Sequence, residues 1–194
     1  EGRASVTGSI GYAGVIDPFD GTDNFVRGIP AWCVVIACAL HGETVVGVIH
    51  EPSTGETFHG RLGGGAFVNG RPIRTSAGTS LEEGSVGTGF SNRADTENVA
   101  VLVRMLLAEG GVFFRNASGA LMLAYVAAGR LLGYVEEHMN AWDCLAGMLL
   151  VQEAGGMVVK PDPETVLRDG TLVITGGKGV FPKLRELSSE AFKL

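Results

Sequence analysis

Apolar and polar residues alternate in short runs along roughly the first 80 positions, which is the pattern of strands with one buried face. Gly, Pro and Asn separate the runs and favour turns. Asn69-Gly70 is the strongest hairpin signal, because both residues tolerate positive φ. The pattern predicts an antiparallel sheet of connected strands at residues 13–17, 32–40, 44–50, 56–61 and 66–68.

The pattern changes in the second half, where helical spacing alternates with apolar runs. Val99, Leu102 and Leu106 lie three and four residues apart and predict a helix over 94–109. Further helices are predicted at 118–128, 141–154 and 178–192, and strands at 85–90, 131–136, 157–160 and 172–175. Interleaved helices and strands are typical of a layered α/β arrangement. We expect an antiparallel-sheet half at residues 1–83 and an α/β half at 84–194.

Composition narrows the possible partners. The 194 residues carry a formal net charge of −6, and 45% of them are hydrophobic. This is typical of a globular protein and argues against a nucleic-acid partner, which would favour clustered Lys and Arg. The apolar run at 29–40 is too short to span a bilayer, so no membrane is expected. Three cysteines without a C-x-x-C pair favour the cytoplasm.

The stretch at residues 17–25 combines carboxylates with turn-forming residues. Asp17 and Asp20 follow a predicted buried strand, Pro18 restricts the backbone, and Gly21 permits a sharp turn. A short helix is expected to begin near Thr22, with Asp20 as its cap. The two carboxylates can converge on a hard divalent cation, and a helix N-terminus beside it offers N–H groups to phosphate. A plain surface turn is the alternative interpretation.

Four ordered motifs carry a family resemblance. IDPFDGTDNF at 16–25 resembles the first signature of the inositol monophosphatase family. Its second signature, W-D followed by a helix ending A-G-G, is matched at 142–156. GGGAFVNG at 63–70 and RNASGALMLAYVAAGR at 115–130 resemble two further family segments. Together the four matches extend over most of the chain.

The resemblance implies a Mg²⁺-dependent phosphatase with the αβαβα sandwich of the inositol monophosphatase and fructose-1,6-bisphosphatase type. The chain is expected to lack the first helices of that fold and so to be N-terminally incomplete. An active site between the halves would hold two or three Mg²⁺ ions. The implied metal ligands are Glu1, Asp17, the Phe19 carbonyl, Asp20 and Asp143. Glu1 is either the metal-binding Glu of an upstream family motif or its neighbour.

Catalytic roles are implied for Asp17, Asp20 and Thr22, with Thr22 positioning the attacking water. Water, activated by the metals, would attack phosphorus directly without a phosphoenzyme. The implied substrate-binding residues are Gly21, Thr22, Ala117, Ser118, Gly119, Glu136 and Asp143. Family members usually have Gly-Ser/Thr-Ala where this chain has residues 117–119.

The expected substrate is a small phosphorylated polyol or sugar, and inositol-1-phosphate is the favoured candidate. Fructose-1,6-bisphosphate, histidinol phosphate and a nucleotide 3′-phosphate remain alternatives, as does a non-catalytic metal-binding family member. A haloacid dehalogenase-type phosphatase is excluded because its two Asp lie two residues apart, whereas Asp17 and Asp20 lie three apart. An EF-hand is excluded because it needs acidic residues at alternate positions. The family usually forms homodimers.

Overall fold

The computed structural model describes residues 5–7, 11–91 and 93–194. The strands are β1 Ser5–Thr7, β2 Tyr12–Asp20, β3 Cys33–Leu40, β4 Glu43–Glu51, β5 Glu56–Arg61, β6 Ala66–Val68, β7 Arg71–Pro72, β8 Ser85–Thr88, β9 Val112–Phe114, β10 Gly133–Met139, β11 Met157–Val158 and β12 Thr171–Gly176. The helices are α1 Thr22–Val26, α2 Thr96–Ala108, α3 Gly119–Ala127, α4 Ala141–Glu153, α5 Val166–Asp169 and α6 Phe181–Ala191, with a 3₁₀ turn at Leu81–Glu83.

The first sheet is an antiparallel meander, as predicted. Strands β1 to β7 follow one another in chain order across the sheet. Asn69 and Gly70 both have positive φ, 47° and 76°, between the paired strands β6 and β7. The hairpin predicted from these two residues is therefore confirmed.

The second sheet is mixed and has the order β11-β12-β10-β8-β9. Strand β8 runs parallel to β10 and β9, whereas β12 runs antiparallel to β10 and β11. Neighbouring residues of one strand enter different cores: Tyr134 of β10 packs in one hydrophobic cluster and Val135 in the other. This sheet is therefore buried on both faces, as expected where helices cover each side.

Helices α3 and α4 lie between the two sheets and contact both of them. Helix α4 is buried around most of its circumference, which explains its nearly continuous apolar sequence. Helices α2 and α6 pack on the other face of the second sheet. The layered architecture is thus confirmed, with four described layers in the order sheet, helices, sheet, helices.

The boundary predicted between residues 83 and 84 falls between the 3₁₀ turn and β8. One hydrophobic cluster contains residues from both sides of it, such as Val35 and Leu121. The division into halves therefore stays a prediction.

Helix α6 begins at Phe181, three residues later than expected, and places Pro182 in its first turn. The sequence prediction gave no range for β1, β7, β9 or α5.

Candidate active site

Strand β2 ends in a bulge that determines where its carboxylates point. Residues three apart on a regular strand face opposite sides of the sheet. Asp17 pairs with Val35 and Asp20 with Cys33, so β2 has one extra residue between these pairs. Both carboxylates consequently face inward, with Asp17 5% and Asp20 8% exposed. Pro18 remains exposed on the outer side.

Gly21 turns the chain from β2 into α1. Its φ is 87°, and a Cβ there would lie 2.9 Å from the Ala31 carbonyl oxygen, so both conformation and space require glycine. Gly21 is also the N-cap of α1, which has no side-chain cap. The prediction that Asp20 caps this helix is wrong. The Asp20 carboxylate points inward and accepts hydrogen bonds from Ser118 and Ala120 instead.

Asp143 joins the two carboxylates of β2 from the first turn of α4, the helix start at which the sequence placed it. One carboxylate oxygen from each of Asp17, Asp20 and Asp143 lies within 4.8 Å of the others. We call these three residues the acidic triad. None of the ion pairs within the described part of the chain involves them.

The acidic triad concentrates negative charge, and no basic residue in the described part of the chain forms an ion pair with it. Burial, together with the charge of the neighbouring Asp17, raises the pKa of Asp20 to about 6, although the Ser118 hydrogen bond opposes the shift. Burial, the charge of Asp20 and the interaction with Asp17 raise the pKa of Asp143 to about 8. A divalent cation would relieve this repulsion, and an all-oxygen donor set suits Mg²⁺. The residues present therefore fit a magnesium site.

A cavity of about 180 Å³ opens beside the triad. Its lining includes five residues predicted for the site: Asp20, Ala117, Gly119, Glu136 and Asp143. Burial raises the pKa of Glu136 to about 7, although a hydrogen bond donated by the Tyr134 hydroxyl partly opposes the shift. The cavity thus joins the acidic triad to a carboxyl group that can exchange hydrogen bonds with substrate hydroxyls.

Five described residues that were predicted for the site do not line this cavity: Asp17, Phe19, Gly21, Thr22 and Ser118. Thr22 is exposed, and its hydroxyl donates a 2.8 Å hydrogen bond to the Phe19 carbonyl oxygen. Ser118 is fully buried, so its side chain contacts Asp20 and not the cavity. Glu1 falls outside the described residues.

Several residues at the site were not assigned a role from the sequence. Arg115 lines the cavity, with its guanidinium carbon 4.9 Å from the centre of the Phe90 ring. His138 also lines it, and its Nε2–H donates to the Asp169 carbonyl oxygen at 2.7 Å. Arg115 opens the 115–130 motif, so its position in that motif was the available signal.

Asn24 is another such residue, and it lies within the acidic-loop motif. Its side-chain amide donates hydrogen bonds of 2.6 Å to the carbonyl oxygens of Ala31 and Asn116. The contact with Asn116 joins segments 92 residues apart in the chain. The sequence motif contains Asn24 but gives no sign of this distant partner.

A larger groove of about 470 Å³ lies elsewhere, along the C-terminal part of α4. Its walls are mainly apolar, including Leu62, Met148 and Pro163, and none of the triad residues lines it. The smaller cavity is therefore the better candidate for chemistry.

Comparison with known proteins agrees with the motifs. The family model described as the inositol monophosphatase family matches residues 2–191. An inositol-1-monophosphatase from Mesorhizobium japonicum is 40% identical over 84% of this chain and 62% of its own length. The Nus factor SuhB of Pseudomonas aeruginosa is 43% identical over 76% of this chain and 56% of its own length. The chain thus spans about three-fifths of these curated relatives.

A solved structure shares the fold. The extragenic suppressor protein suhB from Bartonella henselae superposes with a TM-score of 0.84 at 37% identity, covering 92% of this chain and 69% of that one. No described helix is both long and apolar enough to cross a membrane. The sequence match, the shared fold and the acidic triad agree, and the chain belongs to the inositol monophosphatase family.

Proposed function

We propose that the protein is a Mg²⁺-dependent phosphomonoesterase that acts on a small polyol or sugar phosphate, and that inositol-1-phosphate is its preferred substrate. The acidic triad carries the proposal: the carboxylates of Asp17 and Asp20 meet that of Asp143, from a distant part of the chain, beside a cavity. No ion pair among the described residues neutralises them. Such a charge cluster destabilises a metal-free fold and is retained where a cation is bound. Two relatives named inositol-1-monophosphatase support this choice of substrate.

Asp17, Asp20, Asp143 and the Phe19 carbonyl would hold two or three Mg²⁺ ions. When bound, these ions supply Lewis-acid stabilisation of phosphoryl charge and lower the pKa of water. The Thr22 hydroxyl donates its proton to the Phe19 carbonyl oxygen. The lone pairs of Thr22 Oγ1 therefore stay free to accept a hydrogen bond from the attacking water. Thr22 therefore orients water rather than acting as a nucleophile, because no described base pairs with it.

Other residues that line the cavity would bind the alcohol part of the substrate. Glu136 can accept hydrogen bonds from substrate hydroxyls, and Tyr134 holds its carboxyl group in place. Ala117 and Gly119 provide a wall without bulky side chains. Backbone N–H groups of Gly21 and Thr22 would contact the phosphate oxygens.

The decisive experiment measures initial rates of phosphate release by the full-length protein in Mg²⁺. Inositol-1-phosphate, fructose-1,6-bisphosphate, histidinol phosphate and 3′-phosphoadenosine 5′-phosphate are compared, with lithium as inhibitor. We expect inositol-1-phosphate to be hydrolysed fastest, chelation to abolish the rate and lithium to reduce it. Faster turnover of another substrate would revise the substrate, and no release from any of the four would reject the enzymatic proposal.

A non-catalytic role is the second candidate, since several relatives are named Nus factor SuhB. The intact acidic triad favours catalysis. Normal Mg²⁺ binding without turnover of any substrate would favour the binding role instead.

We also propose that the protein is a cytoplasmic homodimer. Its three cysteines are free. Leu107, at the end of α2, and Val112 and Phe113 of the edge strand β9 are exposed apolar residues that a second copy would cover. Light scattering on the purified protein tests the dimer, and a monomeric mass would contradict it.

A further inference from the structure

The carboxylate of Asp20 is held by the beginning of α3, which is distant in sequence. The Ser118 hydroxyl and the Ala120 backbone N–H both donate to Asp20 Oδ2, the latter at 3.0 Å. Ser118 and Asp20 are 98 positions apart in the chain. Both donors bind the same carboxylate oxygen, so Oδ1 stays outside this pair of hydrogen bonds.

The backbone before α3 adopts an unfavourable conformation to make this contact. Ala117 has φ 64°, in the left-handed region that costs a non-glycine residue about 1–2 kcal/mol. Neighbouring hydrogen bonds hold it there: the Ser118 N–H donates to Asn116 Oδ1 at 3.0 Å, and Asn24 donates to the Asn116 carbonyl at 2.6 Å. Strain of this kind persists where the surroundings fix a required geometry.

Ser118 has no access to a substrate. It is 0% exposed, and its hydroxyl lies against Asp20 and the Cys33 thiol. Its effect on any ligand must therefore pass through Asp20. Hydrogen bonds to a metal-binding carboxylate fix its orientation, and losing them typically weakens metal binding about 10–100-fold.

We propose that Ser118 is a positioning residue that orients the Asp20 carboxylate for divalent-cation binding. The inference rests on the metal site of the proposed function but not on turnover. It gives Ser118 a role through Asp20 in place of direct contact with substrate.

The test is calorimetric titration of Mg²⁺ into the substrate-free, full-length protein. Ser118→Ala is expected to weaken Mg²⁺ binding about 10–100-fold, and Ser118→Thr, which keeps the hydroxyl, to retain more affinity than the alanine variant. If Ser118→Ala does not fold, Ser118→Cys fills the site with a side chain whose S–H is only a weak donor, and it carries a similar expected loss. In rate assays Ser118→Ala should raise the Mg²⁺ concentration for half-maximal activity by the same factor.

Ser188→Ala is the matched control. Ser188 is also 0% exposed, and its hydroxyl donates to the Leu184 carbonyl within α6, away from the acidic triad. This variant loses a buried hydroxyl but should bind Mg²⁺ like the unchanged protein. Equal Mg²⁺ affinity in Ser118→Ala and the unchanged protein, or an equal loss in Ser188→Ala, would overturn the proposal. Weakened Mg²⁺ binding in a protein that releases no phosphate would reject only the enzymatic function.

Discussion

The protein contains two groups of buried or half-buried acidic residues, and they are stabilised in opposite ways. In the acidic triad, Asp17, Asp20 and Asp143 face one another, and none of the basic residues that the structure describes pairs with them. In the second group, which we call the arginine cluster, Glu51 and Glu56 lie beside Tyr125 and Arg130. The difference separates acidic residues that serve the fold from those that fit a ligand.

Every acidic side chain of the arginine cluster has a donor. Arg130 binds Glu56 through two hydrogen bonds of 2.5 and 2.7 Å, which lower the pKa of Glu56. Its guanidinium also lies over the rings of Phe58 and Tyr125. Glu51, only 2% exposed, accepts the Tyr125 hydroxyl at 3.1 Å. This cluster is therefore complete without a ligand.

The acidic triad has donors mainly on Asp20, and the pKa values of Asp20 and Asp143 are raised. A buried carboxylate without a counter-charge is destabilising unless it is protonated or binds a cation. The comparison therefore predicts that changes in the triad affect function and metal binding, whereas changes in the arginine cluster affect stability.

The largest effect is expected for Asp143→Asn. Loss of a metal ligand should reduce Mg²⁺-dependent turnover by more than the roughly 100-fold that losing an outer hydrogen-bond partner costs. The metal-free variant should melt at a higher temperature at pH 8, because one repelling charge is removed. Rate and melting measurements on one preparation test both. Glu97→Gln, an exposed acidic residue in the first turn of α2, is the control. Normal turnover in Asp143→Asn would defeat the assignment.

The next effect is a pH-dependent response to metal. The pKa of Asp143 is about 8 in the folded protein against 3.8 for a free side chain, so the folded state binds more protons between these values. Stability of the metal-free protein should therefore fall as pH rises from 5 to 8. Mg²⁺ should raise the melting temperature more at pH 8 than at pH 5, because deprotonated carboxylates bind it. Thermal melts at both values, with and without chelator, measure this. A larger Mg²⁺ effect at pH 5 would contradict it.

Arg130→Met tests the other side of the comparison. Losing its paired hydrogen bonds and ring contacts should cost about 1–2 kcal/mol of unfolding free energy. Mg²⁺ affinity should be unchanged. Arg168→Met is the control, because the Arg168–Asp169 pair is exposed and should contribute little. Denaturant unfolding of both variants measures the loss of stability, and Mg²⁺ titration measures their affinity for the cation. Weakened Mg²⁺ binding in Arg130→Met would contradict the prediction that the arginine cluster affects stability and not metal binding.

The smallest effect is expected for Ala117→Gly. Glycine removes about 1–2 kcal/mol of left-handed strain but adds about 0.4–1 kcal/mol of unfolded-state entropy. The net gain should be about 0.5 kcal/mol, with Mg²⁺ affinity kept because the Ser118 contact remains. Thermal unfolding measures the change. Ala120→Gly, at a buried helical position of α3, should instead lose stability. Destabilisation by Ala117→Gly would show that the strain is not relieved.

Much of the fold could be predicted because local patterns specify it. The first sheet follows from period-two alternation and from turn residues such as Asn69-Gly70. Strand β9 and helix α5 were missed because they contain only three and four residues. Elements this short have almost no periodicity and depend on the neighbours they pack against.

At the site, the residue types were predictable and several contacts were not. Asp17, Asp20 and Asp143 were identified from motifs, and the structure brings them together. The bulge between Asp17 and Asp20 was not visible, because it depends on the pairing of β2 with β3. For the same reason Asp20 was expected to cap α1, although its carboxylate points inward.

The sequence by itself determined most of the strands and helices, the carboxylates of the acidic triad and the family, because each follows from residues close together in the chain. Only the tertiary structure decided that α3 presents Ser118 to Asp20 and that α4 presents Asp143 to the same carboxylate. Hydrophobic periodicity specifies which face of an element is buried, whereas the meeting of segments about 100 residues apart depends on how the sheets and helices pack.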